Sequence, residues 1–152
     1  MNKRIFDLIL LVILVPIVFP VFVIVYLLVL LNLGRPAFFF QERGGFKGRR
    51  FRLAKFRSMT NARDMEGRLL PDAARITLFG GFLRRMSLDE LPCLWNVAKG
   101  DMSFVGPRPF IADYLPLYTP EQMRRHDAMP GITGWAQVNG RTALTWEQKF
   151  QL

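Results

Sequence analysis

Residues 8–31 read LILLVILVPIVFPVFVIVYLLVLL, 24 consecutive positions without a charge. At about 1.5 Å of helical rise per residue the run would extend roughly 36 Å, against a bilayer hydrocarbon core of about 30 Å. Length therefore permits a membrane-crossing helix. A secretory signal fits less well, because its apolar core is shorter and Asn32-Leu33-Gly34-Arg35 is a poor cleavage site. A third reading is a re-entrant helix that enters one leaflet and returns. Pro16 and Pro20 lie in the middle of the run, and neither can donate a backbone hydrogen bond to the turn before it. If the helix breaks at Pro20, the arms 8–19 and 21–31 reach only about 18 Å and 16 Å. Each attains the bilayer middle and neither crosses it. Charge on both flanks agrees with this. Lys3 and Arg4 precede the run, and residues 35–57 carry eight Lys/Arg against one acid, Glu42. A single span would place one of these groups outside, against the positive-inside bias. A kinked spanning helix is the competing reading, since membrane helices tolerate proline.

The rest of the composition follows from that arrangement. The chain has 152 residues, 51% of them apolar, and a formal net charge of +9. From Ser58 onward eleven basic residues face ten acidic ones, so the excess charge is a belt beside the apolar run. This excludes a disordered acidic chain, a collagen-like chain and a disulfide scaffold. The length suits one compact domain. Cys93 is the lone cysteine, as in a reducing compartment, and reads as a packed or surface thiol. A basic belt at a membrane attracts anionic lipid by about 1 kcal/mol per residue. No nucleic-acid motif accompanies it, so anionic membrane lipids are the expected partner and nucleic acid is not.

Beyond the belt the sequence predicts a small α+β, mainly helical domain, with 1–34 as the membrane helix and 35–152 as the domain that follows it. Residues 37–41 (AFFFQ) and 51–56 (FRLAKF) are β-prone and flank Gly44-Gly45 and Lys47-Gly48, the pattern of a β-hairpin. Phe79, Phe82, Leu83 and Met86 have helical spacing, weakened by Gly80-Gly81, and Leu91, Leu94, Trp95 and Ala98 repeat it. Both stretches read as interfacial amphipathic helices or as ordinary core helices. Thr119-Pro120-Glu121-Gln122 is a capping box with proline at the first helical position, so a helix starts there and ends before Pro130.

Chemistry concentrates in this second part. Ser87-Leu88-Asp89-Glu90 has the form of a capping box, which would put Asp89 and Glu90 in a first helical turn, favourable to their ionised forms. The pair could supply a nucleophile or hold Mg2+, or could simply cap the helix. Three stretches look like anion sites or turns. They are Lys55-Phe56-Arg57-Ser58, Gly106-Pro107-Arg108-Pro109, and Pro130-Gly131-Ile132-Thr133-Gly134-Trp135 with Asn139-Gly140-Arg141. The last offers backbone amides, an aromatic face and a guanidinium, a set that suits a phosphate and a stacked base. None matches a Walker or dinucleotide fingerprint.

Taken together, these stretches resemble the small monotopic phosphoglycosyl transferases, the bacterial sugar transferases. The matching residues include Lys3-Arg4-Ile5-Phe6-Asp7, Lys55-Phe56-Arg57-Ser58-Met59, Ser87-Leu88-Asp89-Glu90-Leu91-Pro92 and Leu94-Trp95-Asn96-Val97. The two longest run from Gly100 to Pro109 and from Pro130 to Arg141. The resemblance implies transfer of a sugar 1-phosphate from a UDP-sugar to polyprenol phosphate (undecaprenyl phosphate), with release of UMP. The expected location is the cytoplasmic face of the bacterial inner membrane, early in glycoconjugate or polysaccharide assembly. It implies Mg2+ dependence, with Asp89 and Glu90 at the metal. Asp89 would be the nucleophile of a covalent phosphosugar intermediate, and Glu90 a general base or part of the metal environment. Arg85, Arg108 and Arg141 would bind phosphate, with Lys55 and Arg57 as further candidates, and the helix would re-enter at Pro20. Two departures stand out. Phe19 precedes Pro20 where the family usually has serine, and the family usually continues past the region of residues 146–150, so a catalytic core that ends early is expected. The rival from another class is a membrane-anchored basic lipid-binding module, whose binding would survive Asp89→Asn.

Overall fold

The computed structural model describes residues 2–140 and 145. Helices and short strands are mixed. In chain order they are α1 (Lys3–Leu33), β1 (Phe38–Gly44), β2 (Arg50–Phe56), α2 (Asp72–Arg75), α3 (Leu78–Arg85) and α4 (Cys93–Lys99). There follow β3 (Ser103–Val105), α5 (Pro120–Met123), β4 (Gly131–Thr133) and α6 (Trp135–Val138). Turns of 3-10 helix lie at Phe46–Gly48, Leu88–Glu90, Ala112–Leu117 and Arg124–Asp127. β1 and β2 pair as a two-stranded sheet, and the connection between them is too short for anything but the expected hairpin.

The apolar run forms one helix, with both prolines inside it. The break expected at Pro20 is therefore not present as a break in the helix. Proline's fixed φ suits a helix, and what it forfeits is one hydrogen bond to the preceding turn and some straightness. Over an 18-residue window of mean hydropathy 3.4, only 6% of α1 is buried. By length and composition this helix could cross a membrane.

The chain divides into two compact units, each holding part of α1. The first holds the described residues up to Ile13, Phe40–Leu53, and those from Cys93 onward. Here the start of α1 is tied down by polar contacts. Arg4 donates to the Val97 and Ala98 carbonyls in the last turn of α4, where a cation also suits the helix dipole. Lys3 donates to Ser103 Oγ and to the Val105 carbonyl, and buried Asp7 accepts from Ser103 Oγ at 2.9 Å and the Phe104 amide at 3.3 Å. The core of this unit is Leu53, Cys93, Val97 and Met102, so Cys93 is a packed thiol.

Two stretches that read as loops are zipped together in the same unit. β3 and β4 pair in parallel, Ser103 opposite Gly131 and Val105 opposite Thr133. Beyond them the Gly106 amide donates to Thr133 O, and the Gly131 amide to Pro107 O. A Cβ on Gly106 would stand 2.0 Å from Met129 O, and one on Gly134 would stand 2.1 Å from Gly106 O. These glycines let two backbones touch. The Gly131 amide, expected to be free for an anion, is committed to that contact, as is the Gly106 amide.

The second unit holds Leu14–Phe39 and Ala54–Pro92. Its core is Val25, Val29, Ala37, Phe56 and Leu83, lined by Phe22, Tyr26, Phe38, Leu88 and Leu91. Phe56 lies 4.9 Å from the Phe22 ring and 5.4 Å from the Phe38 ring, centre to centre. The second half of α1 thus has a buried stripe. α3 forms where the spacing of Phe79, Phe82, Leu83 and Met86 placed it, capped by Thr77, whose hydroxyl accepts from the Gly80 amide. Gly80 does more than weaken the helix, because a Cβ there would meet Ser58 O at 1.8 Å. The capping box at Thr119 is formed in full, with Pro120 leading α5.

Candidate active site

The second unit brings three of the candidate residues together. Lys55 is the penultimate residue of β2, set between buried Ala54 and Phe56. Its stem extends over Asp89 and Glu90, which lie in the 3-10 turn Leu88–Glu90. The Lys55 ammonium is 2.7 Å from Glu90 Oε1 and 3.8 Å from Asp89 Oδ2. All three side chains are largely withdrawn from solvent, with exposures of 17% for Lys55, 10% for Asp89 and 15% for Glu90. Burial pushes the Asp89 carboxyl above the ordinary carboxylate range; Lys55 pulls it back, the Glu90 charge pushes it up further, and Arg84 pulls it down.

The expected capping box at Ser87 is a misreading. Ser87 is left-handed, with φ of 56°, and makes no capping bond. Asp89 and Glu90 lie in a separate 3-10 turn that precedes α4 rather than in the first turn of that helix. Pro92 has no N–H, and α4 starts only after it, at Cys93. What faces the carboxylates is a lysine from a strand distant in sequence.

The Lys55-Phe56-Arg57-Ser58 stretch resolves into four different tasks. Lys55 faces the carboxylates and Phe56 fills the core. Arg57 is buried and donates to the Gly34 and Arg35 carbonyls at 2.8 and 3.1 Å, closing the chain just after α1. Ser58 Oγ accepts from Arg84 Nε at 2.9 Å. Arg84 is thereby held where its charge acts on Asp89. The sequence reading named its neighbour Arg85, which is exposed at the end of α3, and missed Arg84. Nothing local in the sequence separates Arg84 from Arg85, because what holds Arg84 is Ser58, 26 residues earlier. Arg108 lies in the other unit, exposed, on the segment after β3. Arg141 lies outside the described residues.

Asp89 and Glu90 are hard oxygen donors side by side. Among the described residues no cluster of three or more His, Cys, Asp or Glu could cage a metal. Two carboxylates completed by substrate phosphates are an ordinary Mg2+ environment, so the pair fits that ion and falls short of an all-protein site.

Comparison with known proteins gives the same direction. The profile of the bacterial sugar transferases matches residues 1–152. The sugar transferase EpsL of Bacillus subtilis (strain 168), described as uncharacterized, is 53% identical over 150 residues, covering 99% of this chain and 74% of EpsL. The UDP-glucose:undecaprenyl-phosphate glucose-1-phosphate transferase of Caulobacter vibrioides is 39% identical over 92% of this chain, which spans 54% of that protein. The enzyme of the same name from Xanthomonas campestris pv. campestris is 52% identical over 69% of this chain, and only 23% of its own length is matched. The chain thus spans three quarters of the first of these relatives and about half or less of the other two. With the profile matched from end to end, the chain belongs to the bacterial sugar transferase family.

Proposed function

We propose that this chain is a phosphoglycosyl transferase that moves a sugar 1-phosphate from a UDP-sugar to undecaprenyl phosphate. One observation carries the proposal: a desolvated aspartate, Asp89, held beside Lys55 and Glu90 with Arg84 in its field. A buried carboxylate that has lost its water is a ready nucleophile, and the nearby cations keep a fraction of it ionised. An Asp89 carboxylate oxygen attacks the phosphorus that bears the sugar. The bond from that phosphorus to the bridging oxygen breaks, and UMP leaves with the bond's electrons. An oxygen of undecaprenyl phosphate then attacks the same phosphorus, giving the lipid diphosphosugar and returning the carboxylate. Lys55 offsets the repulsion between Asp89 and the incoming diphosphate. Glu90 holds the Lys55 ammonium and can hold a proton for the lipid phosphate. Mg2+ bound by Asp89, Glu90 and substrate phosphates would neutralise charge on the diphosphate.

The same reading places both ends of α1 on one membrane face, the cytoplasmic one. Lys3, Arg4 and Asp7 bond to residues 97–105, and the far end of α1 runs directly into the chain that leads there. Among the described residues no second helix is long and apolar enough to carry that chain across a bilayer. On this reading residue 3 and residue 34 share a side, Pro16 and Pro20 supply the bend, and the basic belt faces anionic lipid. The test is UMP release by the full chain in nanodiscs with Mg2+, undecaprenyl phosphate and a panel of glucose, galactose and N-acetylhexosamine UDP donors. Release is expected with at least one donor and is lost in Asp89→Asn. Unchanged release in that variant removes Asp89 as nucleophile, and none with any donor removes the transferase reading.

A further inference from the structure

Four consecutive carbonyls of the segment carrying Arg108 are each held by a different donor. Pro107 O accepts from the Gly131 amide at 3.0 Å, and Phe110 O from the Gly44 amide at 3.0 Å. Between them, Arg108 O accepts from Arg125 Nη2 at 3.0 Å and Pro109 O from Arg43 Nη1 at 3.1 Å. Pro107 and Pro109 have no N–H, so a strand ladder cannot hold this segment from its other side. Two half-buried arginines replace it. The Arg125 guanidinium also lies flat against Phe110, 3.8 Å from the ring centre, and Arg43 continues into a bridge with Ile111. The outcome is a backbone fixed at every carbonyl, with the Arg108 side chain left exposed.

We propose that Arg125 and Arg43 are positioning residues for nucleotide binding, holding the backbone of residues 107–110 so that Arg108 meets the diphosphate of the UDP-sugar already ordered. The inference rests on the reading of Arg108 as a phosphate ligand. Loop ordering otherwise has to be met from binding energy, and a segment ordered in advance binds more tightly with no new contact. Neither arginine needs to touch the substrate.

A double-mutant cycle tests it, with UDP as the probe, the full chain in nanodiscs and Mg2+ present throughout. Arg108→Ala is expected to weaken UDP binding by roughly 10- to 100-fold, the usual loss of a charge-assisted contact. Arg125→Ala is expected to weaken it about fivefold while Arg108 is present, and by less than about twofold once Arg108 is gone. Arg125→Lys, which keeps a cation over Phe110 and a donor for Arg108 O, restores most of the binding. If Arg125→Ala does not fold, the same cycle is run with Arg43→Met, with the same expectation. An equal loss with and without Arg108 overturns the positioning role and leaves Arg108 as a ligand. Wild-type UDP affinity in Arg108→Ala overturns the phosphate reading of Arg108, and the proposal with it.

Discussion

Replacing Lys55 by methionine isolates the electrostatics of the candidate site. The substitution keeps most of the apolar stem and removes one charge from between two carboxylates. At an effective dielectric near 20, the 2.7 Å and 3.8 Å separations correspond to gross attractions of about 6 and 4 kcal/mol, most of which offsets desolvation. What the variant exposes is the other side of that balance, two adjacent buried carboxylates with no cation between them. Losing one partner of a buried pair costs about 3–5 kcal/mol. For a chain of this size that lowers Tm by roughly 6–20 °C. The pH dependence has a definite sign. Asp89 already titrates above the ordinary range, and losing Lys55 raises it further. The penalty is full at pH values above that raised pKa and fades as Asp89 takes up a proton on acidification. Tm is measured by intrinsic tryptophan fluorescence in nanodiscs from pH 8 to pH 4.5, for wild type, Lys55→Met, and Lys55→Met combined with Glu90→Gln. The gap to wild type should narrow at low pH, and the double variant should recover most of it at pH 7. A gap that stays constant with pH, or no gap at pH 7, refutes the reasoning.

Asp89→Asn should abolish UMP release and raise Tm at neutral pH, because the native fold disfavours the charge it removes; the gain should vanish on acidification. Two adjacent glycines should behave oppositely in the same melts. Gly80→Ala forces a Cβ to 1.8 Å from Ser58 O and should cost about 3 kcal/mol or more, whereas Gly81→Ala meets nothing within 4 Å and should gain about 0.5–1 kcal/mol. His126 is buried, donates from Nδ1 to Gly45 O at 2.9 Å, and has Nε2 buried without a partner. Burial therefore lowers its pKa, so the unfolded chain binds the proton first and stability falls as pH drops below about 6.5. His126→Gln should flatten that acid limb in urea titrations at stepped pH, and an unchanged limb would assign it to other groups.

The elements legible in the sequence are those whose signal is local. The apolar run, the hairpin around Gly44-Gly45, α3 and the Thr119 capping box each announce themselves within a few residues. The β3–β4 pair does not. Its strands are three residues each, too short for alternation to register, and their partner lies a helix and several turns away. The glycines of the second stretch consequently read as pliable anion binders, whereas Gly106, Gly131 and Gly134 are thin places where two backbones meet. At the site, Asp89 and Glu90 stand out as a pair, but their environment comes from Lys55, distant in sequence, and from Arg84, whose placement depends on Ser58. The Ser87 pattern misled because a capping box needs a helix to cap, and the helix starts only beyond Pro92. Arg57 looked like a ligand by charge, and its task is set by carbonyls that only the folded chain presents.

The contacts at the start of α1 also impose an order on biosynthesis. Lys3 bonds to a carbonyl 102 residues later, and Arg4 to carbonyls 93 and 94 residues later. These residues leave the ribosome before the partners they will bond to exist. At about 5–20 residues per second, that interval lasts roughly 5–20 s. On the proposed topology, α1 enters the bilayer during that interval with Lys3, Arg4 and Asp7 undocked, and charge bias favours the side where their partners will emerge. The two cations would then serve in succession, first as a retention signal for a helix not yet anchored, then as the clasp that closes the finished fold.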